Sequence, residues 1–367
     1  MLQRVEGSWC FFMVESSRAR SASKRVLRST SFAAAATLAF LRAASAETVV
    51  DGGNVGGQVW TPTGSPYFVR GDITVQPGSS LTIEAGTVVE VADGDMQGSG
   101  RVTETEFFIN GSLFVNGTNG SVATIRARNG TAASTWWGII VSPGAAAVAI
   151  RGARIQHATI GIESRMTGSP LSINTTSFET NGEGIHMLAG TGVFDRLLGI
   201  NNVTMIDMTG TSTATLSNSV IRSQTALSGN GVYTDAGGTA SIRIVNCTLD
   251  RNYNNIVFGG AAANEVVNTI ATNGIYGIYC ANAPTVTTSY SNIWGNSTDT
   301  RNAPCTTCLS ANPQYVSSTD LHLQASSVSI DSGAAPAMNP LVTGHDFENH
   351  VRPVNGDGVA DADGSEY

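Results

Sequence analysis

From Tyr67 onward the chain alternates short apolar runs with turn residues. Phe68-Val69, Ile73-Thr74-Val75, Leu81-Thr82-Ile83 and Val88-Val89-Glu90-Val91 come first. Phe107-Phe108-Ile109, Leu113-Phe114-Val115, Ala123-Thr124-Ile125 and Gly138-Ile139-Ile140-Val141 follow, with Gly, Pro, Asn or Asp in most gaps. No useful stretch places apolar residues at the i, i+3, i+4, i+7 spacing of an amphipathic helix. Strands this short and this evenly spaced predict an all-β solenoid whose coils each turn two or three corners.

The middle of the chain carries a repeat. Asn174, Asn218, Asn246, Asn268 and Asn292 each close or follow a short apolar run. Most lead to a further apolar residue and a second asparagine, such as Phe178 and Asn181 or Leu249 and Asn252. The first asparagines lie 44, 28, 22 and 24 residues apart, and Ile200-Asn201-Asn202-Val203 falls inside the first, double-length gap. A period of this size fits one coil of a parallel β-helix. Asn tolerates the left-handed backbone of a tight corner, and its amide can bond its counterpart in the next coil. The five asparagines are therefore expected to form a structural ladder. Ile173, Val220, Ile242, Ile244, Ile256, Val266 and Ile275 are expected to stack inward.

Composition agrees with this picture. Charged residues make up 13% of the chain and hydrophobic ones 41%, with 41 glycines, too apolar for disorder. The amino terminus reads as an export leader over residues 1–46. Arg18, Arg20, Lys24, Arg25 and Arg28 precede the apolar run Phe32 to Leu41, and Ala44-Ser45-Ala46 fits a cleavage site. The solenoid is assigned to 47–304 and a cap with a tail to 305–367. Without the leader, acids outnumber bases two to one and every base is arginine. Such a chain does not hold a phosphate backbone, which argues against nucleic acid. No later stretch has the length and apolarity of a transmembrane helix. In an oxidising compartment Cys247, Cys280, Cys305 and Cys308 are disulfide candidates with three connectivities open, and Cys305-Thr-Thr-Cys308 suits a local structural bridge.

Two parts of the sequence resemble known proteins. Val69-Arg-Gly-Asp-Ile-Thr-Val75, Pro77-Gly78 and Leu81-Thr-Ile-Glu-Ala-Gly-Thr87 resemble the opening coils of bacterial secreted right-handed β-helix proteins of the pectin-lyase-like superfamily. Gly111-Ser-Leu-Phe-Val-Asn-Gly117 and Trp136-Trp-Gly-Ile-Ile140 continue the likeness. Asn312-Pro-Gln-Tyr-Val316, Asp320-Leu-His-Leu-Gln324 and Ser329-Ile-Asp-Ser-Gly333 resemble the "choice-of-anchor" type tails of surface β-helix proteins. The resemblance implies a right-handed parallel β-helix that is secreted or held at the cell surface. That superfamily spans lyases, hydrolases and adhesins, so fold alone does not choose an activity.

Candidate chemistry is sparse. Glu179, Glu183 and His186 fall close together, and Asp207 lies about one coil later; they are the first suspects for acid–base catalysis. Glu104 and Glu106 read as a solvated strand face. In Trp136-Trp137 one ring must point in and one out, and the outward one is a candidate for stacking on a sugar ring. Asp357, Asp361 and Asp363 in the acidic tail are candidate calcium ligands, although the motif's first ligand position is Pro353. No cofactor is required by the pattern; calcium is the candidate ion. The Asp-Asp and Gly-His-Gly patterns of a pectin-cleaving glycosidase do not occur. The favoured reading is a non-catalytic scaffold for glycan binding or adhesion at a polysaccharide or cell-envelope surface. A polysaccharide lyase or glycoside hydrolase is the alternative.

Overall fold

A computed structural model describes residues 46–98, 100–223, 228–282, 286–334 and 344–352. Residues 1–45 of the segment read as an export leader, and Asp357, Asp361 and Asp363 of the acidic tail, lie outside the described residues. From Thr48–Val50 to Thr298–Arg301, strands follow one another into three all-parallel sheets of 11, 11 and 10 strands. Each strand pairs with the third strand before it and the third after it. That connectivity is a parallel β-helix: every coil lays one strand in each sheet.

The core is built from stacked rows. In the first sheet Val89, Ile125, Ile155, Phe178, Gly199, Ile221, Leu249 and Ala271 lie in register down the stack. In the second, Phe107, Ile139, Ile162, Ile185, Ile206, Val232, Ile256 and Ile278 do the same. In the third, Ile83, Val115, Ile150, Ile173, Phe194, Leu216, Ile244 and Val266 complete the interior. All but Gly199 are in the buried core cluster, where like side chains pack on like. Gly199 leaves a gap in its row that Met205 fills: a Cβ there would stand 2.8 Å from the Met205 Cγ. Two sequence expectations fail here. Val220 points outward from the first sheet, one position off the inward phase, and Ile275, in the bend before Tyr276–Cys280, is only half-buried.

Two corners per coil use left-handed backbone. Between the third and first sheets it falls on Thr175, Arg196, Asn218, Asn246, Asn268 and Tyr290, with φ from 49° to 56°. Between the first and second it falls on His157, Thr180, Asn201, Arg251 and Asn273. Asn218, Asn246 and Asn268 thus occupy corners as expected of their residue type. Asn174 precedes its corner by one residue, and Asn292 opens the strand Asn292–Trp294. The five do not form one ladder. Asn246 donates to Asn218 at 3.2 Å, Asn218 to Asp195 at 2.8 Å, and Asn174 to Asp195 at 2.9 Å. Asn268 and Asn292 instead hold the segment after the last coil, accepting from the Ala334 amide and donating to Ser329. Further amide pairs form inside the stack, with Asn181, Asn202 and Asn255 buried. Asn181 donates to Asn202 at 2.9 Å and accepts from the Ala158 amide at 2.9 Å. Asn255 donates to Asn296 at 3.0 Å.

Past Arg301 the chain changes character. Cys305 and Cys308 form a disulfide, and Leu309 pairs with Asn292 to extend the first sheet by one rung. Cys247 and Cys280 are not bridged and are corrected as disulfide candidates: both are buried thiols in the coil interior. Burial pushes the Cys280 thiol up to about 11, which keeps it protonated and unreactive. Residues 319–323 and 346–348 lie over the outer face of the first sheet, where Leu198, Val220 and Ile270 present an apolar strip. His322 bridges the two pieces, contacting Asp320 and lying 3.1 Å from Glu348.

Candidate functional site

The second sheet carries the longest strands, including Ala158–Ser164, Ser228–Thr234 and Asn252–Phe258. Its outward row reads Ile140, Glu163, His186, Asp207, Tyr233, Val257, Tyr279 and Arg301, one residue per coil. Consecutive rungs of such a row stand about 4.8 Å apart. Residues separated by a full coil in sequence therefore become neighbours.

Glu183 joins this row although it precedes His186 by three residues in the same strand. In a regular strand, positions three apart face opposite ways. Gly184 resolves the conflict. Its backbone bends so closely over the next coil that a Cβ would sit 2.6 Å from the Met205 carbonyl oxygen. Gly161, Gly231 and Gly277 recur at the same place, each with a neighbouring coil's carbonyl 2.5 or 2.6 Å from a built Cβ. The repeated Gly, then Ile or Val, then polar or aromatic residue (Gly161-Ile-Glu163, Gly184-Ile-His186, Gly231-Val-Tyr233, Gly277-Ile-Tyr279) is the sequence signature of the row.

The cluster is compact. His186 Nδ1 lies 3.0 Å from Glu183 Oε2, in a close but poorly directed contact. One ligand-capable atom from each of Glu183, His186 and Asp207 falls within 4.8 Å of the others. On the far side of the ring, His186 Nε2 is 3.3 Å from Thr209 Oγ1. Glu163, one rung back, is paired with Arg165 at 2.8 Å. Burial raises the Asp207 carboxyl to about 6; His186 opposes the shift, and the Glu183 and Asp235 carboxylates add to it. Burial would depress His186, but its contact with Glu183 and the charges of Asp207 and Glu163 win and raise it. Burial, with Asp207 and Asp235, raises the Tyr233 phenol.

Other sequence candidates lie elsewhere. Glu179 is on the first sheet, 3.2 Å from Arg154 and bonded to Gln156, so the corner at Thr180 removes it from Glu183. Trp136 is fully buried against Phe107 with its Nε1 donating to the Gln156 carbonyl, which corrects its assignment to glycan stacking. Trp137 points outward, but the Arg101 guanidinium carbon lies 3.2 Å from its ring centroid and covers that face. Glu106 is buried rather than solvated. Its carboxylate accepts the Arg101 amide at 2.8 Å, and burial raises its pKa. Tyr233 and Tyr279, two of the aromatic residues the sequence offers for sugar stacking, fall in the outward row. Tyr276 stacks on Tyr279 at 4.9 Å, and Arg301 reaches both.

Residues 204–366 match a protein-family model described as a right handed beta helix region. With the three parallel sheets, this makes the solenoid a right-handed parallel β-helix. Searches of the curated proteins and of the solved structures found no match. Among the described residues no helix is long and apolar enough to cross a membrane.

Proposed function

We propose that this is a secreted or cell-surface protein that binds saccharides along the outer face of its second sheet. The observation that carries the reading is the outward row itself, which passes from Glu163, His186 and Asp207 to Tyr233, Tyr279 and Arg301 in register. Sugars are bound by hydroxyl-directed acceptors and donors beside aromatic rings, and this row supplies both. Hydrogen-bonding groups repeated at rung spacing suit an extended polymer better than a single small molecule. Tyr253, four residues before Val257 in the strand Asn252–Phe258, is 49% exposed.

The test is retention of the purified full chain on a panel of insoluble plant and microbial polysaccharides, with soluble oligosaccharides as competitors. Retention that falls at least about tenfold in Tyr233→Ala and Tyr279→Ala, the loss of roughly 1.4 kcal/mol, supports the reading. Retention untouched by both moves the binding face elsewhere. A second reading is glycoside cleavage, favoured by the two carboxylates of Glu183 and Asp207 flanking one imidazole. Reducing-end or unsaturated products in the same wells, lost in Glu183→Gln and Asp207→Asn, would establish it.

A further inference from the structure

We propose that Glu183, His186 and Asp207 bind a divalent transition-metal ion, with zinc the best fit. The proposal goes beyond saccharide binding and stands whether or not a glycan is held. Its basis is the convergence of three buried ligand atoms that have no directed hydrogen-bond partner. Thr209 Oγ1 lies 3.4 Å from the Met187 carbonyl and 3.3 Å from His186 Nε2, so it can donate to the carbonyl while accepting from the Nε2–H tautomer, which leaves Nδ1 free as a ligand. With Nε2 protonated, the neutral ring turns the bare Nδ1 lone pair toward Glu183 Oε2, 3.0 Å away. A proton on Nδ1 satisfies that contact in the metal-free protein, and a metal ion would take the proton's place.

The surrounding atoms point the same way. Glu183 Oε2, His186 Nδ1 and Asp207 Oδ1 are each buried, and none has a directed hydrogen-bond partner. They are also the three groups whose ligand atoms converge within 4.8 Å. Small side-chain rotations bring such atoms to the roughly 2.0–2.2 Å bonds that zinc makes to imidazole and carboxylate. One nitrogen and two carboxylates suit zinc or a neighbouring transition ion. Calcium wants six to eight oxygens and takes imidazole poorly. Two negative carboxylates also match a doubly charged ion. The Thr209 bond to Nε2 is the outer-shell contact that fixes ring orientation at protein metal sites. Three protein ligands leave a fourth position open to water or to an incoming oxygen. The ligands come from two adjacent coils, Glu183 and His186 from one strand and Asp207 from the next. A bound ion would therefore staple those coils together.

The chelator-stripped full chain is titrated with zinc chloride by calorimetry, and its melting temperature is followed with and without the ion. One equivalent should bind, the melting temperature should rise, and chelator should reverse both. His186→Ala and Asp207→Asn should each weaken binding tenfold or more, whereas Glu179→Gln on the first sheet should leave it unchanged. Calcium at the same concentration should not compete. X-ray absorption of the zinc-loaded native protein, which needs no variant to fold, should report one nitrogen from imidazole and otherwise oxygen. Absence of binding, binding indifferent to the variants, or sulfur in the ligand shell would each overturn the proposal.

Discussion

Single residues are placed here by backbone conformation as much as by chemistry. Thr180 holds φ at 55°, although a β-branched side chain is crowded in the left-handed region, and its counterparts in two other coils are Asn201 and Asn273. Thr180→Asn should raise the urea midpoint by the equivalent of about 1 kcal/mol. Next to it, Asn181 is fully buried and bonds the Ala158 amide, the Ile155 carbonyl and Asn202. Asn181→Leu strands those partners and should cost on the order of 3 kcal/mol by the same measurement. The recurrence of asparagine was legible in the sequence because corners demand it. Which asparagines form the interior amide pairs was not legible. That depends on whether the amide turns inside or outside the corner, and residue type does not set the turn.

At the scale of the strand, a glycine decides what shares a face. The bend at Gly184 brings Glu183 beside His186, and the nearby Met205 carbonyl leaves no room for a Cβ. Gly184→Ala should destabilise the protein by roughly 1–3 kcal/mol in thermal or chemical unfolding. It should also weaken zinc binding, since the strand can no longer turn Glu183 outward. Simple alternation could not foresee this, because it assumes a regular pleat and puts positions 183 and 186 on opposite faces. Glu179, by contrast, looked close in sequence and is separated by a corner. Three-to-five-residue strands make such errors natural: a corner falls between residues that sequence distance would join.

The whole molecule is a stack with one covered flank. The strap of residues 319–323 and 346–348 lies on the first sheet, with His322 set against Asp320 and Glu348. Those carboxylates, Asp320 first, raise the His322 pKa above the ordinary 6.5, and the same contact lowers that of Asp320. The raised histidine contributes its stabilisation fully below the unfolded value and loses it as pH climbs through the folded value. The depressed aspartate contributes above its own unfolded value and loses it on acidification. The strap should therefore be tightest in mildly acidic solution. Amide hydrogen exchange, corrected for intrinsic rates, should speed up in residues 319–323 and 344–350 between about pH 6 and pH 8.5. His322→Ala should remove that dependence. The solenoid architecture was legible from periodicity alone; the strap was visible only as a family-like tail, since nothing in its pattern names the sheet it lies on.

The even spacing of the rungs has a mechanical corollary. In the three sheets every interior coil pairs only with the coil before and the coil after, with Phe178, Gly199 and Ile221 meeting in register at steps of 21 and 22 residues. Under tension applied at Thr48 and Arg301, such a stack should peel rather than burst. A single-molecule force trace should show a sawtooth, each tooth lengthening the tether by about 70 Å as one coil of roughly 22 residues straightens. A zinc ion at the sixth and seventh coils would appear in that trace as one tooth taller than its neighbours.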